Sequence, residues 1–211
     1  MAAASSVFEA VIKTIIFDLC DTVVETAGVP GLLSLPSLHG RLRGQDIENW
    51  FVNNETFHAY EKGHVDTDVF IEAFCSDLNI RVEKSDFLRV YEALVIREID
   101  GMPALIRQWA QRHPLYALSN NNPLLWRATE RICSVLDAFS HVYLSHQIGL
   151  LKPDPSAFWH VLHAAHCAPD ESILVDDNPR CIEAARQLGM RTIHFKSTSE
   201  TAYRLAQLTD S

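Results

Sequence analysis

Cysteine pairs are missing from this sequence: five cysteines stand at positions 20, 75, 133, 167 and 181, odd in number and with no C-x-x-C among them. No disulfide framework is expected, and reduced thiols suit a reducing compartment. Basic residues are scarce, 18 Lys and Arg against 27 Asp and Glu for a net charge of −9. That balance favours solubility and disfavours a phosphate backbone or an anionic bilayer, so neither nucleic acid nor membrane is an expected partner. Long apolar runs are lacking too. The opening MAAASSVFEAVIKTIIF has no basic n-region, and Lys13 interrupts its short apolar run. It reads as neither signal peptide nor membrane span, and a cytoplasmic location is expected. There is no internal repeat or low-complexity tract. What is present is 211 residues, 47% hydrophobic and 21% charged, enough for one good core and a smaller satellite.

Five short β-branched or apolar runs, TIIFDLC (14–20), PLYALS (114–119), HVYLS (141–145), SILVDD (172–177) and RTIHF (191–195), alternate with longer stretches of helical spacing. The alternation predicts an α/β fold, a Rossmann-like parallel sheet sandwiched between helices. Prolines mark helix starts: Pro103 for a helix ending near His113, Pro123 for one reaching about Leu136, Pro155 before SAFWHVLHAAH, and Pro179 opening RCIEAARQLG, which Gly189 closes.

From about Ala27 to Asp100 no run makes a convincing strand. DIENWFVNNETFHAYEKG, DTDVFIEAFCSDL and SDFLRVYEALVIREI have helical spacing, with Asp66 or Thr67 and Ser85 as N-caps. The segment is expected to be a helical insertion over the carboxyl edge of the sheet. It divides the chain into a core of residues 1–26 and 101–211 and a cap of residues 27–100. GVPGLLSLPSLHGRLRG (28–44), rich in Gly, Pro and Leu, suits a mobile hinge and loop.

Ligands of an open parallel sheet gather outside the carboxyl ends of its strands, near the point where strand order reverses. Asp18 ends the first run, Ser119 and Asn120 end the second, Lys152 follows the third in GLLKPDP, and Asp176 with Asp177 ends the fourth. Each alone has an ordinary reading, such as a polar strand end or an acid pair favouring a helix dipole. Together, in this order, they form a constellation that chance seldom assembles.

This ordered set resembles the motifs of the haloacid dehalogenase-like superfamily, from about Ile12 to Phe195. LYALSNNNP, HVYLSHQIGLLKPDPSAF and ILVDDNPRCIEAARQLGM are most similar to bacterial sugar-phosphate phosphatases related to glucose-1-phosphate phosphatase, and to the N-terminal phosphatase domain of soluble epoxide hydrolases. The resemblance implies a helical C1-type cap inserted after the first strand. It implies Asp18 as the nucleophile that becomes an aspartyl phosphate, Ser119 and the Asn120 backbone N–H as holders of the transferring phosphoryl group, and Lys152 as the neutralising cation. It further implies Mg²⁺ bound by Asp18, the backbone carbonyl of Cys20 and Asp177, with Asp176 in support. The substrate would be a small phosphorylated metabolite of the sugar-phosphate class, and the protein a monomer or homodimer. The physics agrees, since a phosphate dianion and a carboxylate repel until a lysine and a hard cation cancel their charge.

The family's first motif reads D-x-D-x-T or D-x-D-x-V, whereas this chain has Asp18, Leu19, Cys20, Asp21 and Thr22. In phosphatases the second Asp protonates the leaving oxygen and then activates water. Cysteine is a poor acid near neutral pH and a weak hydrogen-bond partner. Metal ligation by the carbonyl survives the change, so the expected loss is acid/base catalysis, worth about 10²- to 10⁴-fold in rate. Asp21 is a less suitable substitute, because adjacent side chains at a strand end point in different directions, though a bulge could re-aim it. Three functions stay open: a slow phosphohydrolase, a catalytically degenerate protein that binds a phosphorylated ligand or a protein partner, and a dehalogenase or phosphonate hydrolase. The dehalogenase leaves the acid pair unexplained.

In HVLHAAHC, His160, His163 and His166 lie at i, i+3 and i+6 beside Cys167. On a helix they sweep too far round to share one zinc ion, and a helix surface is expected. Lys62 in YEKGHV is expected to be a solvated lysine beside a turn glycine, and His58 and His64 could line a substrate entrance.

Overall fold

A computed structural model describes residues 10–38 and 41–209. The remaining residues, including the opening stretch as far as Glu9 and His39 and Gly40 of the expected hinge, lie outside the described ones. Among the latter are seven strands: β1 (Thr14–Phe17), β2 (Val24–Thr26), β3 (Val95–Glu98), β4 (Leu115–Ser119), β5 (His141–Leu144), β6 (Ser172–Asp176) and β7 (Arg191–His194). Five form a parallel sheet in the order β5-β4-β1-β6-β7. These are the five runs read from the sequence. β1 is central, and the chain adds β4 and β5 on one side before crossing to β6 and β7 on the other. The strand order therefore reverses at β1, and a crevice opens at its carboxyl end.

Between β2 and β3 lie five helices: α1 (Gly28–Leu32), α2 (Gly44–Asn53), α3 (Glu55–Glu61), α4 (Thr67–Asp77) and α5 (Lys84–Glu92). They enclose an apolar cluster of their own, running from Leu32 to Leu94 and joined by Leu124. Phe70 is fully buried at its centre, stacked on Tyr60 with ring centroids 4.5 Å apart and edge-on to Phe87 and Tyr91. Four details depart from the expectation. The stretch read as a hinge and loop forms α1 and a 3₁₀ turn over Pro36–Leu38, because Leu32, Leu35 and Leu38 bury their side chains in that cluster. The single helix expected over 46–63 breaks at Asn54, whose side-chain oxygen accepts the Phe57 N–H and caps α3. The N-cap of α5 is Glu83, not Ser85. Residues 95–98, read as helical, are a strand, since Val95 joins the core beneath the main sheet while Arg97 pairs with Glu25 across β2.

The other helices are α6 (Met102–Ala110), α7 (Pro123–Ile132), α8 (Ser145–Ile148), α9 (Pro155–Ala164), α10 (Pro179–Gln187) and α11 (Thr198–Thr209). Because strand side chains alternate faces, Ile15, Phe17, Ala117, Ile173 and Val175 face one apolar layer with Met102, Trp109 and Leu205. Ile16, Leu118 and Leu174 face the other with Phe158, Val161 and Ile182. Burial of both faces explains why β1 and β6 are buried throughout, whereas the edge strands β5 and β7 stay partly exposed and carry His141 and Arg191. α7 stops at Ile132, earlier than expected, where Cys133 turns extended. α9 ends at Ala164, and His166 has φ +51°, so the three histidines do not share a helical stripe. No helix among the described residues is long and apolar enough to cross a membrane.

Candidate active site

The carboxyl ends of β4, β1 and β6 lie side by side, which brings their terminal residues together. The Asp18 N–H donates to the Val175 carbonyl at 2.9 Å, locking the residue after β1 to the neighbouring strand. Lys152 enters from the segment between α8 and α9. Its ammonium donates to Asp18 Oδ1 at 2.8 Å and to Asp176 Oδ2 at 2.6 Å, and all three side chains are buried. Asp176 accepts a further bond from the Asn178 N–H at 2.8 Å, so both of its oxygens are held.

Three carboxylates against one lysine leave an excess of negative charge away from water. Burial pushes the Asp18 carboxyl up to about 7, with Lys152 opposing the rise and Asp176 adding to it. Burial, then the neighbouring Asp176, raises Asp177 as well. Burial alone would lower the Lys152 ammonium, but Asp18 and Asp176 hold it above its ordinary value. Ligand atoms of Asp18, Asp176 and Asp177 lie within 4.8 Å of one another. An all-oxygen set with unneutralised charge fits a hard divalent cation. In the turn after β1, the backbone bonds engage the carbonyls of Leu19 and Val24 and not that of Cys20.

Ser119 Oγ is buried without a hydrogen-bond partner. The neighbouring Cys20 thiol is a poor substitute for one. An orphaned buried hydroxyl costs about 1–3 kcal/mol, which an anionic oxygen of a ligand would offset. Asn120 does more than present its backbone. Its side-chain amide donates to the Lys152 carbonyl at 2.7 Å and accepts the Lys152 N–H at 2.8 Å. The next residues tie the site outward. The Asn121 N–H donates to Ser145 Oγ at 2.9 Å, and Asn122 donates to the Tyr91 hydroxyl of α5 at 3.1 Å.

Cys20 faces the Asn121 amide, with Sγ 3.9 Å from Nδ2. Burial first, then the Asp18 charge, drives its thiol pKa far above neutral, so it neither gives nor takes protons there. Asp21 has φ +57°, and both its oxygens accept bonds from Thr26, from the N–H at 2.8 Å and from Oγ1 at 2.9 Å. Its carboxylate is thereby committed to β2.

A small cavity of about 170 Å³ is lined by Asp18, Cys20, Asp177 and neighbours. A second cavity of about 430 Å³ shares Asn120, Lys152 and Asn178 with it. Its far wall is His58, Glu61 and Lys62 from α3 and its C-terminal end, with Arg180 and Asp154 beside them. Lys62, read from the sequence as merely solvated, thus faces the site, as does His58. His64 sits against Gly149, itself on the wall. Glu61 and Arg180 were not singled out from the sequence, where one glutamate at a helix end and one arginine after a proline carry no distinguishing signal.

The sequence model of haloacid dehalogenase-like hydrolases matches residues 12–189. A D-ribitol-5-phosphate phosphatase of Bacteroides thetaiotaomicron is 24% identical over 210 residues, covering 95% of this chain and all of that one. A glyceraldehyde 3-phosphate phosphatase of Pyrococcus furiosus is 25% identical over 195 residues, covering 88% of this chain and 81% of that one. Among solved structures, a HAD family enzyme of Bacteroides thetaiotaomicron in complex with magnesium and inorganic phosphate superposes with a TM-score of 0.74 at 21% identity, covering 89% of this chain and 96% of the other.

Proposed function

The chain belongs to the haloacid dehalogenase-like hydrolases, and on that premise we propose that it is a Mg²⁺-dependent phosphohydrolase of small phosphorylated metabolites of the sugar-phosphate class. The observation that carries this reading is the buried lysine bridging Asp18 and Asp176 beside the orphaned hydroxyl of Ser119. It is supported by relatives named for phosphorylated polyols and trioses, and by a structural neighbour holding magnesium and inorganic phosphate. A cavity of about 430 Å³ is in the size range of small-molecule sites.

In this reading the Asp18 carboxylate attacks phosphorus and becomes an aspartyl phosphate, which water then opens. Lys152 keeps Asp18 aimed and offsets its charge. The Ser119 hydroxyl and the Asn120 N–H hold phosphoryl oxygens as charge develops on them. When bound by Asp18, Asp177 and the Cys20 carbonyl, with Asp176 in support, the cation would further neutralise nucleophile and phosphoryl group. Cys20 favours a second reading, a protein that binds a phosphorylated ligand without turnover, because the usual proton-transfer group is missing. A dehalogenase would leave Asp177 without a task, since Asp176 already holds Lys152.

The test is turnover of p-nitrophenyl phosphate and of an alkyl sugar phosphate by wild type and Asp18→Asn with Mg²⁺. Slow turnover that disappears in the variant is expected. Turnover unchanged by Asp18→Asn would remove the nucleophile assignment, and a wild type inert even to the aryl ester would favour ligand binding alone.

A further inference from the structure

We propose that Glu61, carried by the cap, performs the proton transfers for which Cys20 is unfit: it protonates the leaving oxygen of the substrate and then deprotonates the water that opens the phosphoenzyme. The proposal rests on the phosphohydrolase reading. It begins from a vacancy. Position 20 carries a thiol in place of a carboxyl, and Asp21, though on the rim of the same cavity, has both carboxylate oxygens taken by Thr26.

Glu61 lines the cavity that shares Asn120, Lys152 and Asn178 with the small cavity of Asp18, so a substrate whose phosphoryl group sits at Asp18 extends into the space that Glu61 borders. The Tyr91 hydroxyl lies within electrostatic reach of both Glu61 and Cys20. Tyr91 is bonded to Asn122, next to the Asn121 amide that meets the thiol. Its position is also fixed. Two residues on, Gly63 has φ +71° and packs so closely on α8 that a Cβ there would clash with the His146 carbonyl oxygen. Rigid docking of this kind is what a reacting group requires. Burial pushes the Glu61 carboxyl up to about 7, where a group both gives and takes protons at neutral pH.

The steps balance. As the Asp18 oxygen bonds to phosphorus, the bond from phosphorus to the leaving oxygen breaks, and the Glu61 proton passes to that oxygen. Water then bonds to phosphorus while Glu61 takes its proton, the bond from Asp18 to phosphorus breaks, and both residues return to their starting states.

The experiment is a cycle of wild type, Glu61→Gln, Cys20→Asp and the double variant with Mg²⁺, on an alkyl sugar phosphate and on p-nitrophenyl phosphate. In the wild-type background Glu61→Gln should lower alkyl-phosphate kcat by about 100-fold or more, and on the aryl ester give a burst of nitrophenolate followed by slow turnover. In the Cys20→Asp background the same substitution should cost less than about threefold, because the carboxyl there takes over and the two changes are non-additive. Equal losses in both backgrounds would show that Glu61 only binds substrate and overturn the proposal, as would an unchanged kcat. Glu61→Asp, which keeps the carboxyl, should retain part of kcat and show no burst, so a folding defect in the glutamine variant does not stand in for lost chemistry. Retained activity in Asp18→Asn, or an inert wild type, would instead defeat the phosphohydrolase reading and this inference with it.

Discussion

Asn120 and Lys152 hold each other by two reciprocal bonds, side-chain amide to backbone carbonyl at 2.7 Å and backbone N–H to side-chain oxygen at 2.8 Å. The pair joins the segment after β4 to the one that delivers the buried ammonium, so the lysine's placement depends on an amide far away in sequence. Replacing Asn120 with Ala removes both bonds and should cost about 2 kcal/mol, at roughly 1 kcal/mol per bond. Urea unfolding measures the loss. In the phosphohydrolase reading kcat falls with it, and Asn120→Asp, which sets a carboxylate oxygen against the Lys152 carbonyl, loses at least as much stability. An alanine variant as stable as wild type would show that the clamp contributes nothing.

The Cys20 thiol is buried next to Asp18 and held protonated. Cys20→Ala should therefore leave phosphatase turnover and its Mg²⁺ dependence unchanged, since only the backbone carbonyl of this residue is given a task. Iodoacetamide at neutral pH should label Cys20 far more slowly than a free thiol. A large fall in turnover for the alanine variant, or rapid labelling, would contradict that picture.

Three carboxylates around one lysine should make the folded protein a cation binder whether or not it turns over substrate. Mg²⁺ at a hundred times its dissociation constant would then stabilise the fold by about 2.7 kcal/mol. Thermal unfolding with EDTA and with Mg²⁺ reads this directly, and Asp177→Asn should shrink the difference. Melting temperatures that do not respond to Mg²⁺ would remove the metal from the site.

Glu61 should also leave a mark on stability against pH. Its carboxyl is raised on folding from an ordinary 4.5 to about 7, so below pH 4.5 it is protonated in both states and costs nothing. As pH rises through this window the unfolded chain releases the proton first, and stability falls until the folded carboxyl ionises too. Glu61→Gln should thus be neutral at pH 4.5 and stabilising at pH 8, by about 1–2 kcal/mol because one face of the side chain is open to the cavity. The groups around it are Tyr91 on α5 and, lining the same cavity, His58, Lys62, Lys152, Asp154 and Arg180. Their own titrations are common to wild type and variant, so the difference between the two curves isolates Glu61. Equal differences at both pH values would mean that the carboxyl is not desolvated.

Much of this could be read from local pattern. A strand buried on both faces is written as a short apolar run, and the residues at its end land at the sheet's carboxyl edge, so Asp18, Ser119, Asn120, Asp176 and Asp177 converge once the sheet is parallel, while Lys152 reaches them from beyond α8. Residues 95–98 were misread because Val95 and Ile96 also fit the helical spacing before them. Pairing with β2 decided between the two, and that is a long-range choice.

The amino-acid sequence by itself determined the sheet, the strand-end chemistry and the absence of an acid at position 20, because each is encoded within a few consecutive residues. Only the tertiary structure decided where Asp21 spends its carboxylate, what the Asn120 side chain holds, and which residues of the helices between β2 and β3 line the cavity. Those depend on how the end of α3 docks against α8, where Gly63 meets the His146 carbonyl, and close packing between segments distant in the chain has no local signature.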